Sequence, residues 1–209
     1  MIENALIIFA KNKIEGQVKT RLAATLGNEI ALEIYKQLLL NLHQNIQFIK
    51  VKKIVYYSSF MEDDIWEKEF YQKKIQTGND LGERMSNAFA EVFKNKEGNF
   101  LQKKVIIIGT DCPGINQNIL ETAFEKLNDF DVVIGSALDG GYYLLGMRSE
   151  NSFLFNDINW STDQVLNQTI KHCKENNLSY FLLPELSDID DEKDLIYFKN
   201  LNLSKFKKV

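Results

Sequence analysis

Four aspartates and a run of cations are the residues of this chain whose types and spacing could do chemistry. GTDCP at 109–113 carries Asp111 directly behind the apolar run VIII, DGGYYLLG at 139–146 opens on Asp139, and LSDIDDEKDL at 186–195 holds Asp188 and Asp190. Carboxylates brought together from such distant segments could hold Mg²⁺ or Mn²⁺, which take oxygen ligands and leave positions for substrate phosphates. Without a cation they would repel, so one should take up a proton or lean on a Lys. The basic residues lie in AKNKIEGQVKTRL at 10–22, where Lys11, Lys13, Lys19 and Arg21 follow Ala10, and Gly16 loosens the backbone. Such a loop behind a strand suits a di- or triphosphate, though a solvated basic loop has the same pattern. On the phosphate reading, Lys19 and Arg21 are free loop cations whose removal weakens nucleotide binding with little effect on stability. Neither a Walker A loop nor GxGxxG is present.

GNDLGERM at 78–85 offers Gly78, Gly82 and Arg84 at a helix start, where backbone can approach an anion closely; an ordinary capped helix start accounts for it equally. The Asp-Gly at 139–140 is also a turn signal. WST at 160–162 (Trp160, Ser161, Thr162) is also a plain N-cap with a packed Trp, and Asp188–Asp191 suits helix capping. Cys112 invites a nucleophile reading. The two histidines, His43 and His172, fall in expected helices away from every motif, so Cys112 reads as a small packed residue.

The elements that must position these residues alternate. Strands are expected at 5–10, 53–59, 74–78, 104–111, 131–137, 142–147 and 179–186. Helices are expected at 28–47, at 63–70, from Asp80 to 93, at 116–127, from Ser161 or Thr162 to 174, and at 192–201. The tail SKFKKV reads as a solvated terminus. Strands alternating with helices imply βαβ units and a mostly parallel sheet covered on both faces. The crowded pair 131–137 and 142–147 leaves no room for a crossover helix and implies an inserted antiparallel strand, so a mixed sheet.

The chain has 209 residues, 44% hydrophobic and 26% charged, with net charge -4. No linker or repeat divides it, which gives one domain over 1–209. The acidic balance argues against a general nucleic-acid binder. Two cysteines without metal spacing, and a first apolar run too short for a signal or membrane span, point to the cytoplasm.

In order, FAKNKIEGQVKTRL, GNDLGERM, GTDCPGI, ALDGGYYLLG, INWSTDQVL and DIDDEKDL span nearly the whole chain. Together they resemble the GT-A-fold nucleotide-diphospho-sugar transferase superfamily, and within it a bacterial glycosyltransferase-like subgroup of arsenosugar-biosynthesis type. More distant relatives are the 2-phospho-L-lactate and molybdenum-cofactor guanylyltransferases. The resemblance implies an α/β three-layer αβα sandwich with a mostly parallel mixed sheet, the Rossmann-like GT-A fold. It implies a metal-dependent transferase with a nucleotide-activated donor and a small-molecule acceptor. Glycosyl transfer from a nucleotide-sugar comes first; nucleotidyl transfer with release of pyrophosphate, or non-catalytic nucleotide binding, are the alternatives. The basic first loop favours nucleotidyl transfer, and the subgroup favours glycosyl transfer. Asp111 is the implied metal ligand for Mg²⁺ or Mn²⁺, with Asp190 second and Asp188 in reserve. Ala10, Lys11, Gly16, Lys19, Arg21, Gly78, Gly82, Arg84 and Thr110 would meet the nucleotide. Asp139, Gly140, Gly141, Trp160, Ser161 and Thr162 would face the acceptor, with Asp139, Lys19 and Arg21 in the chemistry. An oligomer is compatible with all of this.

Overall fold

The computed structural model describes residues 4–94, 97–99 and 103–198. Its strands β1 (Ala5–Ala10), β2 (Lys52–Tyr57), β3 (Tyr71–Ile75), β4 (Val105–Ile108), β5 (Val132–Ala137), β6 (Tyr142–Met147) and β7 (Tyr180–Leu186) form one sheet in the order β3-β2-β1-β4-β6-β5-β7. β1 lies parallel to β2 and β4, and β6 lies antiparallel to both β4 and β5. The mixed sheet expected from the crowded hairpin is therefore present. VIII of β4 and its neighbours are apolar on both faces, as central strands must be when helices cover both sides.

The helices are α1 (Thr20–Leu26), α2 (Asn28–Ile46), α3 (Leu81–Phe93), α4 (Gln117–Lys126) and α5 (Val165–Glu175). On one face Leu6, Ile8, Val55, Ile106 and Leu144 pack against Tyr35, Leu39 and Leu42 of α2 and Leu120 and Ala123 of α4. On the other, Ile7, Ile54, Ile107, Ile134 and Leu145 meet Ala88, Phe89 and Val92 of α3 and Cys173 of α5. This alternation of inward residues along each strand is the three-layer sandwich. Among the described residues no helix is long and apolar enough to cross a membrane.

Five expectations are corrected. The helix at 63–70 is absent. The Asp64 carboxylate instead accepts from Tyr57 Oη at 2.9 Å, the Trp66 amide at 3.2 Å and Lys73 Nζ at 2.9 Å. A side chain so engaged competes with helical hydrogen bonds, while Trp66 is drawn fully into the core. β3 begins three residues earlier than expected and ends at Ile75, short of Gly78. α1 was not expected, and its first turn takes in the end of the basic loop, residues 20–22. α5 starts at Val165 with no side-chain cap, so Ser161 and Thr162 precede it rather than cap it. The expected last helix is a 3-10 turn, Glu192–Tyr197, with an Asp191–Asp194 capping box; residues 199–201 of that expectation and the SKFKKV tail lie outside the described residues.

One polar knot ties the far side of the sheet. Asp131 accepts from the Ser179 amide at 2.8 Å and from Arg148 Nε at 2.9 Å. Its burial opposes ionisation, but Ser179 and Arg148 outweigh that and hold its pKa below the usual carboxylate value. A depressed carboxylate stabilises the fold above its unfolded pKa and loses that contribution as pH falls through the folded one. Asp131→Asn is expected to cost about 1 kcal/mol at neutral pH. The difference from wild type in urea unfolding should begin to shrink as the pH drops below roughly 4, the unfolded value, and vanish below the folded one; a constant difference across that range would refute the linkage.

Candidate active site

A cleft of about 780 Å³ runs along the carboxyl edge of the parallel strands, where open α/β sheets take their ligands. β6 runs the other way, so its first residue, Tyr142, and the β5–β6 turn with Asp139 open onto the same cleft. Asp111 does not end its strand as expected. β4 stops at Ile108, and Asp111 lies three residues on, its carbonyl accepting the Ile189 amide at 2.9 Å. That bond draws the 188–190 segment over β4, from 79 residues downstream in the case of Asp190.

Lys19 meets these carboxylates. Its Nζ is 3.0 Å from Asp111 Oδ1 and 3.4 Å from Asp190 Oδ1, and its side chain is only 3% exposed. Arg21 Nη1 stands 3.8 Å from Asp190 Oδ2. Burial works against the Lys19 charge, but Asp111 and Asp190 prevail and raise its pKa. The expected lean of a carboxylate pair on a Lys is thus realised. Lys19 is not a free loop cation, however: it is buried and precedes α1 in a left-handed conformation, φ 49° and ψ 47°, which only a surrounding structure that demands it sustains in a non-glycine residue. Arg21 is exposed, as expected. Asp188 has no ion pair among the described residues. Burial, then the charges of Asp111, Asp139 and Asp190, push it up to about 7, against the pull of Lys19. Beside it the Cys112 thiol is pushed up to about 12, first by burial and then by Asp188, so Cys112 stays a protonated, packed group.

The carboxylates fit a divalent cation that arrives with its substrate. Among the described residues no three or more His, Cys, Asp or Glu side chains stand as a ready metal cage. Mg²⁺ needs none, since it binds through one or two carboxylates and completes its shell with phosphate oxygens and water. The Lys19 ammonium marks where positive charge is already accommodated between Asp111 and Asp190.

Of the residues singled out in the sequence, Ala10, Lys11, Lys19, Arg21, Arg84, Thr110, Asp111, Asp139, Gly141, Trp160, Ser161, Thr162, Asp188 and Asp190 line the cleft. Gly16, Gly78, Gly82 and Gly140 do not. Two of those glycines serve packing instead. A Cβ on Gly82 would stand 2.4 Å from Trp160 Nε1, so its absence lets the indole lie on the start of α3. A Cβ on Gly140, at φ 86°, would meet the Asp163 carbonyl at 2.3 Å, so this glycine docks the approach to α5 rather than making room for substrate. Gly82→Ala is expected to cost about 1–3 kcal/mol and to shift Trp160 fluorescence; an unchanged spectrum would mean the indole does not rest there.

Sequence reasoning missed several lining residues. Gln76 donates through Nε2 to the Tyr56 carbonyl at 3.0 Å, closing the end of β2. Behind the lining, the buried Tyr35 accepts through Oη from the Lys11 amide at 2.8 Å, donates to the Lys11 carbonyl at 2.9 Å and lies 3.4 Å from Thr110 Oγ1, joining the ends of β1 and β4. Ser58, Tyr142 and Asp163 also line the cleft. Of these, Tyr142 and Asp163 carried a signal, since they continue the DGG and WST motifs.

Comparison with known proteins agrees with this fold. A family model described as "Uncharacterized protein conserved in bacteria (DUF2064)" matches residues 41–162. A solved structure from Desulfovibrio desulfuricans, of a protein assigned as a nucleotide-diphospho-sugar transferase, superposes with a TM-score of 0.82 at 28% identity, covering 99% of this chain and 91% of that one. A 2-phospho-L-lactate guanylyltransferase of Methanocaldococcus fervens is 26% identical over 85% of this chain and 77% of its own. The 4-diphosphocytidyl-2C-methyl-D-erythritol synthase of Anaerococcus prevotii shares the fold at a TM-score of 0.60 and 10% identity, covering 94% of each chain. The chain has the nucleotide-diphospho-sugar transferase fold and is a transferase.

Proposed function

We propose, from the premise that the chain belongs to the DUF2064 family, that it is a transferase which moves a glycosyl group from a nucleotide-activated sugar to a small acceptor. The observation that carries this reading is the buried Lys19 ammonium between Asp111 and Asp190, at the edge where β1 and β4 end. Lys19 and Arg21 would take the donor phosphates, with Lys11 and Arg84 adding positive charge along the cleft. The ends of β1 and β4, at Ala10 and Thr110, would line the nucleoside's path. Asp111 would hold Mg²⁺ or Mn²⁺, which when bound stabilises the departing nucleoside diphosphate. Asp139, fixed by accepting the Gly141 amide at 2.9 Å, would assist attack by the acceptor hydroxyl. As partner to Asp111, the geometry favours Asp188 over Asp190, reversing the order the resemblance implies. Asp190 already faces Lys19 and Arg21, while Asp188 has no ion pair among the described residues and stays raised by burial and its carboxylate neighbours despite the pull of Lys19, a strain that a cation relieves. Asp188→Asn is accordingly expected to weaken metal-dependent nucleotide binding more than Asp190→Asn does; the opposite ranking in a titration would restore Asp190.

A second reading, nucleotidyl transfer, is favoured by the four cations around one half of the cleft and by the guanylyltransferase relative. Incubation with sugar nucleotides and with nucleoside triphosphates plus Mg²⁺ separates the two. Release of a nucleoside diphosphate supports glycosyl transfer, and release of pyrophosphate supports the second reading.

A further inference from the structure

Charge is sorted across the cleft. Lys11 follows β1, Lys19 and Arg21 stand at the start of α1, and Arg84 of α3 is turned toward the β3 side by donating through Nε to the Gly78 carbonyl at 3.1 Å; apart from Asp111 and Asp190, which face Lys19 and Arg21, no Asp or Glu lines that half. Beyond the seam of Asp111, Asp188 and Asp190 the lining comes from the β5–β6 turn and the 160–163 segment, and there it contains Asp139 and Asp163 with no Lys or Arg. Neither carboxylate has an ion pair among the described residues. Asp139 Oδ1 accepts the Gly141 backbone amide at 2.9 Å, and Asp163 Oδ1 accepts from the Gln164 side-chain Nε2 at 3.0 Å. In the same half of the lining stands Trp160, stacked on Phe155 with ring centroids 6.5 Å apart and packed against Gly82.

We infer that this second half of the cleft selects its acceptor by charge, taking an uncharged or cationic hydroxyl-bearing molecule, a polyol or amino-polyol, and rejecting phosphorylated ones. The inference rests on the reading that the donor phosphates occupy the cationic half. Two fixed negative charges repel a phosphate dianion and leave it no cation to pair with, whereas hydroxyl and ammonium groups donate to both carboxylates. Trp160 supplies an apolar face for the carbon skeleton. Phosphate-accepting nucleotidyl transfer would require the reverse, a cation on this side.

The test uses the full chain labelled with 5-fluorotryptophan, with GDP and Mg²⁺ present and the Trp160 resonance assigned through Trp160→Phe. Methyl glucoside, glucosamine and glucose 6-phosphate are titrated in turn. Methyl glucoside and glucosamine are expected to shift the Trp160 signal at concentrations at least about tenfold below glucose 6-phosphate, with a smaller gap at high salt. Asp139→Asn with Asp163→Asn, which keeps the side-chain oxygens as acceptors, is expected to collapse that gap. Equal or stronger response to glucose 6-phosphate, no response to any of the three, or a gap that survives the double substitution overturns the inference. GDP binding is read separately by titration without sugars. Its failure refutes the donor reading, while GDP binding combined with phosphate preference refutes only the acceptor assignment.

Discussion

Asp111→Asn is expected to lower metal-dependent turnover about a hundredfold or more, the scale on which single groups that stabilise transition-state charge act, while the protein still folds. The anchoring of this residue is through its backbone, since its carbonyl accepts the Ile189 amide at 2.9 Å. The substitution leaves that bond intact and changes only a side chain that is 32% exposed. Lys19 keeps Asp190 as a partner at 3.4 Å, so no buried charge is stranded. What is lost is the anionic ligand, because an amide oxygen binds a hard divalent cation far less well than a carboxylate does. Circular dichroism and thermal unfolding should match wild type. Turnover of wild type should fall to the variant's level in chelator, and full activity there would remove metal from the mechanism.

Lys19→Met is expected to do two opposite things. Nucleotide affinity should drop at least about tenfold, since one charge-assisted contact to phosphate is worth roughly 1.5–3 kcal/mol. Mn²⁺ affinity in the absence of nucleotide should rise by a similar factor, because the ammonium that now sits 3.0 Å from Asp111 no longer competes for it. Met keeps the stem volume and the same left-handed backbone cost. The variant should nonetheless lose about 1–3 kcal/mol of stability, below the usual penalty for breaking a buried pair, as Asp111 and Asp190 are partly solvated at 32% and 39% exposure. Mn²⁺ binding followed by electron paramagnetic resonance reads this directly. Unchanged Mn²⁺ affinity, or nucleotide bound as tightly as by wild type, would show that Lys19 is only a structural strut.

Much of this was legible because apolar periodicity is local. VIII at 105–108 and the recurrence from Ile30 to Ile46 specify a buried strand and a helix whatever surrounds them. What was not legible depends on distant partners. Nothing in the sequence at 63–66 shows that Asp64 will meet Lys73 and Tyr57 and so forgo a helix. Nothing around Lys19 shows that a residue amid exposed cations will be buried, because the two carboxylates that hold it lie far along the chain. Glycines misled for the same reason: Gly82 looks like room for a ligand until Trp160 is placed on it. That Asp111, Asp139 and Asp188 line one cleft was legible, because each lies within three residues of the end of an apolar strand.

The antiparallel β6 has an evolutionary consequence. By inserting one reversed strand, the fold delivers a hairpin tip, residues 138–141, to an edge that a wholly parallel sheet would furnish only with crossover loops. That tip and the 160–163 segment are short stretches encoded after residue 130, whereas Lys11, Lys19, Arg21, Arg84 and Asp111 are all encoded before it and the seam residues Asp188 and Asp190 come later still. The two halves of the cleft can therefore diverge separately. On the proposed function, exchanging these two segments, at sites where chains tolerate change, would alter the acceptor while leaving the residues assigned to the donor untouched, so that one scaffold would serve many acceptors by altering little more than a hairpin and a helix approach.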